Sequence, residues 1–364
     1  MTALEPLQQM GNSCVRWRGR KLIYFSGCDY FRLASHPAVL KAAAGSVKKY
    51  GLNVAASRVT TGHHKLYEEL ERELAKFFGA EDALLVPTGY MTGIVVAQAL
   101  AKNFSHTILD GQAHPALQDA AEQLGCPIVR FEHRDVVDLQ RAVAWCGKSA
   151  RPIVLSDGMF SADGAVAPLK QYLDFLPREG MMLVDDAHGA GVLGKEGQGT
   201  LEFAGVGRRR IIQCVTLSKA FGTFGGVILG TRQLREKILD HSRAFVGSTP
   251  LPLPLANAAL ASLKILRKQG KVLRKKLKQN ANYVRAGLRG SRFEAPEMPG
   301  PIIPLDTKGP IENHVIHKQL LAAGIYPPLI KYPGGKAGGY FRFAISSGHS
   351  REQLDKLIKV LKNF

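Results

Sequence analysis

The chain has 364 residues, an ordinary apolar share of 45% and a formal net charge of +19, from 49 Lys and Arg against 30 Asp and Glu. That length predicts a large domain plus a smaller one, and the high glycine content suits many tight strand-to-helix turns. Five scattered cysteines, an odd number with no CxxC pair, favour neither a disulfide framework nor a zinc site and fit a reducing cytosol; no apolar run is long enough to cross a bilayer.

The first ten residues, MTALEPLQQM, carry an acid and no apolar centre, so they do not read as a secretory signal. His63 and His64 read as a loop feature rather than a metal site, because no ligand set has matching spacing. From there short apolar runs alternate with helical patterns. DALLVP is a strand, after which Gly89 and Tyr90 open an apolar helix whose free N–H groups suit a phosphate. HTILD follows, then His114 just before the helix PALQDAAEQLG; its imidazole could stack on a flat ring or simply face solvent. PIVRFE and PIVLSD, ending at Asp157, are further strands, and APLKQYLDFLPREG is a helix. MMLVDD ends at Asp185 and Asp186, and IIQCVTL carries Thr216. The expected fold is therefore α/β, a mainly parallel sheet covered by helices on both faces, with ligands at the carboxyl ends of the strands.

Prolines at 250, 252 and 254 interrupt the pattern and forbid a regular helix or central strand there. A long helix is expected from about Ala256 to Leu288. Its basic stretch from Lys264 lacks interleaved aromatics, so it reads as a solvated face and not as a nucleic-acid surface. The strand PIIPL, the helix ENHVIHKQLLAAG, the strands IYPPLI and YFRFAIS and a last helix, opened by a capping box from Ser350 to Gln353, make a smaller α+β region. The expected division is an N-terminal segment 1–35, a large domain 36–245 and a small domain 246–364.

Two of these strand ends carry chemistry together. Lys219, in TLSKAFGTFGG, follows a buried strand and precedes a stretch too apolar to pair with a charge. A lysine so placed loses proton affinity, which imine formation requires. An acid at a second strand end can keep a pyridine nitrogen protonated. Consecutive acids point to opposite faces of a strand, and Asp185 is the one whose follower His188, three residues on, can reach the same ring. A lysine and an acid at two poles of one aromatic aldehyde is what pyridoxal phosphate needs. GAGVLG (Gly189, Gly191, Gly194) matches a dinucleotide fingerprint, but no helix pattern opens at those glycines and no acid follows at the required distance. Arg342, among apolar neighbours in YFRFAIS, suits a bidentate grip on a carboxylate or a structural ion pair.

Together these motifs resemble the α-oxoamine synthase family of fold-type I pyridoxal-phosphate enzymes. The likeness runs from about Tyr24 to the end, through SRVTTGHHKLYEELERELAKFFGAEDALLVPTGYMTG, FSADG, VDDAHGAGVLG, TLSKAFGTFGG, GSTP and FRFAISSGHS. The resemblance implies that Lys219 is the Schiff-base lysine and acid/base, that Asp185 pairs with the ring nitrogen and that His114 stacks on the ring. It also implies that His188 and Ser161 touch the phenolic oxygen and that Gly89, Tyr90, Thr216 and Ser218 surround the phosphate. Ser248 and Thr249 would reach the phosphate of a neighbouring subunit, because family sites lie at a homodimer interface. Arg342, with Cys28 and Ser346, would meet the amino-acid substrate. The implied reaction is decarboxylating condensation of a small amino acid with an acyl-CoA or acyl-carrier thioester in the cytoplasm, most like the members that join alanine to a pimeloyl thioester. A glycine-using ligase of the same family and an aminotransferase are the alternatives; a nucleic-acid or membrane partner and a metal are not expected. The chain departs from the family where Cys28 replaces an Asn, Arg32 a Gly and Asp157 a Glu, all on the substrate side.

Overall fold

The computed structural model describes residues 5–11, 13–331 and 338–364, so the first four residues of MTALEPLQQM lie outside it. Its contacts divide the chain into two compact units. One holds Met1–Ser35, Ser161–Ala165 and Val272–Phe364; the other holds His36–Phe160 and Val166–Lys271.

The first unit opens with three strands that the sequence did not suggest, β1 (Gln8–Met10), β2 (Cys14–Trp17) and β3 (Arg20–Tyr24), in an antiparallel ribbon. Arg18 and Gly19 form the turn between β2 and β3, both with positive φ (47° and 75°), the geometry that matches the twist of a two-residue hairpin. An arginine at the first turn position hides this hairpin from a search for Asn-Gly or Asp-Gly.

The second unit starts with α1 (Pro37–Tyr50) and α2 (Lys65–Phe78). His64 caps α2 through Nδ1, which accepts from the Leu66 amide at 3.1 Å, and His63 bonds Glu68 at 2.9 Å; among the described residues no group of side chains could hold a metal ion. There follow β4 (Asp82–Val86), α3 (Met91–Ala99), β5 (His106–Asp110), α4 (Pro115–Gln123), β6 (Ile128–Phe131), α5 (Val136–Trp145), β7 (Pro152–Asp157), α6 (Leu169–Phe175), β8 (Met181–Asp185), α7 (Thr200–Ala204), β9 (Ile211–Thr216), β10 (Gly226–Gly230), α8 (Arg232–His241) and α9 (Arg243–Val246). The sheet order is β4-β10-β9-β8-β7-β5-β6. Strands β9, β8, β7, β5 and β6 are parallel, and β10 runs antiparallel to both β9 and β4. All six residues of β7 and of β9 are buried, as expected for strands covered on both faces. Strand β10 was missed because GVILG is short and bounded by glycines. The long helix, α10 (Leu253–Leu288), starts earlier than expected. Pro254 sits in its first turn, where a missing N–H costs nothing, and the Pro252 carbonyl accepts from Leu255 and Ala256.

The C-terminal part of the first unit adds β11 (Ile302–Leu305), α11 (Pro310–Ala322), β12 (Ile325–Tyr326), β13 (Leu329–Ile330), β14 (Tyr340–Ala344) and α12 (Arg351–Lys362). Pro327 and Pro328 split the expected strand IYPPLI in two. β12 joins β3 in parallel, and β13 joins the antiparallel sheet β11-β14-β13. The capping box at Ser350 and Gln353 is formed, and α12 lays Leu354, Leu357 and Leu361 on a core that includes Phe25, Phe341 and Phe343.

Candidate active site

Strands β7 and β8 end in register at Asp157 and Asp185, and their parallel neighbour β9 runs two residues further, to Thr216. A cavity of about 240 Å³ opens at these ends. Eight of the expected residues line it: Gly89, Tyr90, His114, Asp185, His188, Thr216, Ser218 and Lys219. Thr88, Ala116, Asp157 and Ala187 complete the lining.

Each wall has a local cause. Gly89 precedes α3, and a Cβ there would lie 2.7 Å from both Cβ and Oγ1 of Thr216, so only glycine lets the helix start meet β9. Tyr90 is anchored by its hydroxyl to Asp119 at 2.5 Å and stands edge-on to His114, with 6.2 Å between ring centres. His114 is the N-cap of α4: its Nδ1 accepts the Ala116 amide at 3.2 Å, and its own amide donates to Asp157 Oδ2 at 2.8 Å. Burial lowers the imidazole's proton affinity; the nearby Asp185 charge opposes this and the Lys219 charge adds to it. With Nδ1 already accepting, the ring presents a neutral flat face to the cavity.

The two consecutive acids separate, as strand alternation requires. Asp185 is half-buried in the cavity wall, and its Oδ1 accepts the Ala187 amide at 3.0 Å. Asp186 is fully buried on the opposite side, where it accepts from the Thr200 amide at 2.8 Å, the Thr200 hydroxyl and Gln213 Nε2 at 2.6 Å. Burial pushes its carboxyl up to about 7, against the pull of these donors. Gly189 packs directly on that carboxylate, with no room for a Cβ. The first glycine of GAGVLG thus packs on a buried acid, while Gly194 packs on Glu202; the next helix, α7, opens only at Thr200.

Lys219 lies in the turn between β9 and β10, half-buried, with its carbonyl accepting the Gly222 amide at 2.9 Å. The turn is tied by Leu217 N–H to Gly225 O and Thr223 N–H to Leu217 O, both 2.9 Å. Ser218 beside it is exposed, its amide on Thr216 Oγ1 at 3.2 Å.

Four expected residues belong to the other unit. Arg342 on β14 is buried and donates through Nη1 to Ser161 O at 3.0 Å, while its Nε has no hydrogen-bond partner among the described residues. Cys28 is half-buried beside the fully buried Tyr30, whose phenol is pushed well above its usual value by burial first and by Cys28 next. Ser346 is buried and engaged: its amide donates to His349 Nδ1 at 2.9 Å, and its hydroxyl accepts from Arg32 Nε at 3.2 Å. Ser248 and Thr249 do not line this chain's cavity. Ser248 donates its hydroxyl to Ala244 O, and Thr249 is exposed. Asp157 is the lining acid that sequence reasoning noticed only as a strand end and as a departure from the family. Its signal was its place on the strand next to Asp185.

This donor set fits pyridoxal phosphate. It offers an amine for an aldehyde, a carboxylate for a ring nitrogen, a neutral imidazole face and the amides of a helix start with a hydroxyl for a phosphate. A cavity of this size takes one small ring and leaves no room for a dinucleotide.

Comparison with known proteins agrees. Residues 20–361 match the family described as Aminotransferase class I and II. The chain is 36% identical over 346 residues to the 8-amino-7-oxononanoate synthase of Thioalkalivibrio sulfidiphilus, covering 94% of this chain and 88% of that one. It is 37% identical over 347 residues to the enzyme of the same name from Methylococcus capsulatus, covering 94% and 89%. Its fold is similar to Sphingomonas wittichii serine palmitoyltransferase, with a TM-score of 0.92 and 27% identity over 98% of this chain and 90% of that one. A serine palmitoyltransferase of S. paucimobilis solved with a bound PLP–myriocin aldimine is similar too, with a TM-score of 0.91 and 26% identity over 98% and 92%. The chain belongs to the aminotransferase class I and II family, as a pyridoxal-phosphate enzyme of the α-oxoamine synthase kind.

Proposed function

We propose that the protein is an 8-amino-7-oxononanoate synthase of biotin biosynthesis, joining alanine to a pimeloyl thioester with release of the thiol and carbon dioxide. The observation that carries this reading is the convergence of Lys219, Asp185 and His114 on one small cavity, in a chain whose relatives bear that name along nearly their whole length.

Bound there, pyridoxal phosphate supplies an aldehyde for the amino group and a ring that accepts electrons. The chain's residues do the rest. Lys219 would hold the cofactor through its amine and, when that amine is free, would carry the α-proton. The Asp185 carboxylate keeps a proton on the ring nitrogen. His114 would cover one face of the ring and exclude water, and His188 and Ser161 would be the partners of the phenolic oxygen. Gly89, Tyr90, Thr216 and Ser218 surround the phosphate. Arg342 grips the substrate carboxylate, its unpartnered Nε supporting that role, with Cys28 and Ser346 beside it.

The working unit is a homodimer in which Ser248 and Thr249 serve the partner's phosphate. Tyr90 and Phe224, in the segments that build the cavity, are 44% and 43% exposed on the single chain, which supports a covering surface there. Five free cysteines support a reducing, cytoplasmic setting. The net charge of +19 suits a polyanionic acyl donor, coenzyme A or a carrier protein.

The test is a panel of amino acids against pimeloyl and shorter thioesters on both carriers, reading free thiol and carbon dioxide together. Alanine with a pimeloyl thioester should release both at the highest kcat/KM. Preference for glycine with a short acyl group would replace this reading by the ligase, and a keto acid without carbon dioxide would replace it by an aminotransferase.

A further inference from the structure

The second acid of the cavity has no role in the reading above. Asp157 and Asp185 are register partners at the ends of the neighbouring parallel strands β7 and β8. Partnered residues on adjacent strands sit about 5 Å apart and point the same way, so both carboxyls face the cavity that both residues line. Two carboxylates so close in a site of low dielectric cannot both ionise without a large cost, and one keeps its proton.

Burial decides which one. Asp185 is half-buried and accepts the Ala187 amide on Oδ1. Asp157 is only 4% exposed, and its Oδ2 accepts the His114 amide. The charged and titratable groups around it are Asp185 on β8, Asp110 at the end of β5, His114 at the start of α4 and Lys219 after β9. Asp110 is itself fully buried and paired with His133 at 2.9 Å. His114 is held neutral, so among these groups Lys219 alone favours an ionised Asp157, against two acids. Burial first and Asp185 next push the Asp157 carboxyl well above its ordinary range.

We propose that Asp157 is an un-ionised carboxylic acid at neutral pH and a positioning residue, holding the amide of His114 so that the imidazole lies flat over the cofactor site. A neutral acid suits this place twice. Its carbonyl oxygen still accepts the His114 amide, and its lack of charge leaves Asp185 as the one anion directed at the ring nitrogen. Were Asp157 ionised, the cavity would hold two negative charges against one lysine, and the cofactor's own phosphate would add to them. The inference rests on the cofactor reading for its purpose, but the protonation state is a property of the protein by itself.

The experiment is infrared difference spectroscopy on the purified holoenzyme and on Asp157→Asn and Asp157→Ala. The wild type at pH 7 should show the carbonyl stretch of a protonated carboxylic acid that both variants lack. Asp186 contributes a similar band, which the variants retain and which therefore subtracts out. Asp157→Asn keeps an acceptor for the His114 amide and should change cofactor affinity, measured by equilibrium dialysis, by less than about threefold. Asp157→Ala leaves that amide unpaired and should weaken affinity about tenfold. Its visible band should then lose the induced circular dichroism of an oriented chromophore, a signature that loss of stability alone would not produce. The proposal is overturned if neither variant removes a protonated-acid band, or if Asp157→Asn moves the pH midpoint of the cofactor's visible band by one unit or more, as removal of a true charge would. A protein that shows the band but binds no pyridoxal phosphate would instead refute the cofactor reading and leave the assignment of the proton standing.

Discussion

The cavity at the ends of β7, β8 and β9 and the neighbourhood of Arg342 on β14 solve different problems. In the first, most polar groups are fixed by the main chain of a buried sheet or by the start of a helix, and most of the lining residues fall within the motifs that resemble the family. In the second, side chains do more of the holding: Arg32 Nε donates to the Ser346 hydroxyl, His349 Nδ1 accepts the Ser346 amide, Arg342 donates to the Ser161 carbonyl, and Tyr30 lies beside Cys28. Two of the three departures from the family, Cys28 and Arg32, fall in this second region. Backbone-built sites tolerate little change, whereas a side-chain cluster can be rewired; if Arg342 meets the substrate as proposed, this is where substrate choice has room to vary.

The contrast can be broken most directly at Lys219. Lys219→Ala should abolish the covalent cofactor and its visible absorbance and lower turnover by at least about 10³-fold, within the range for losing a positioned acid/base that is also the nucleophile. A visible band unchanged in the variant would remove the central assignment. Arg342→Ala should raise the KM for the amino acid about 10²-fold with kcat far less affected, the cost of an unpaired carboxylate. An effect confined to the acyl thioester would place Arg342 on the wrong substrate.

The side-chain cluster also predicts a pH dependence. His349 is buried, stacked on Phe25 with 4.3 Å between ring centres, and its Nε2 lies 3.0 Å from Tyr24 O. Burial, and then the charge of Arg32, pulls its imidazole down to about 3. The native state therefore binds fewer protons than the unfolded chain below about pH 6.5. The stabilisation is complete above that value and is lost as the pH falls toward 3, with about 3 kcal/mol gone by pH 4. His349→Gln should flatten this acid slope in denaturant titrations; an unchanged slope would mean that another group carries it. Arg32→Gly should have the smallest effect. Arg32 sits at φ 58°, where glycine relieves about 1 kcal/mol of backbone strain, but the change forfeits the bond to Ser346. Net stability should stay within about 1 kcal/mol, and a larger loss would show that Arg32 braces the cluster.

What could be read in the sequence follows the same divide. Asp185, Thr216 and Lys219 are legible because apolar strands buried on both faces announce where they end, and a parallel sheet ends its strands together. The separation of Asp185 from Asp186 follows from strand alternation alone. Asp157 lies on a different strand, and its partnership with Asp185 exists only in the register between them. β10 and the N-terminal ribbon escaped because GVILG and CVRW are too short for a period to show. The Ser161–Ala165 segment, which counts with the first unit although it lies amid the second in sequence, leaves no local mark because its partners are far along the chain.

The return of the chain from β9 into β10 has a mechanical corollary. Thr216 and Gly226 are ladder partners, and Leu217 and Gly225 are joined just inside them, so the segment bearing Lys219 is a small closed ring clamped to the sheet at both feet. If Lys219 holds and releases a bound carbonyl as proposed, nothing in the scaffold would have to travel: four methylenes would act as the tether, and the exchange would cost the rearrangement of a few torsions in place of the reordering of a loop.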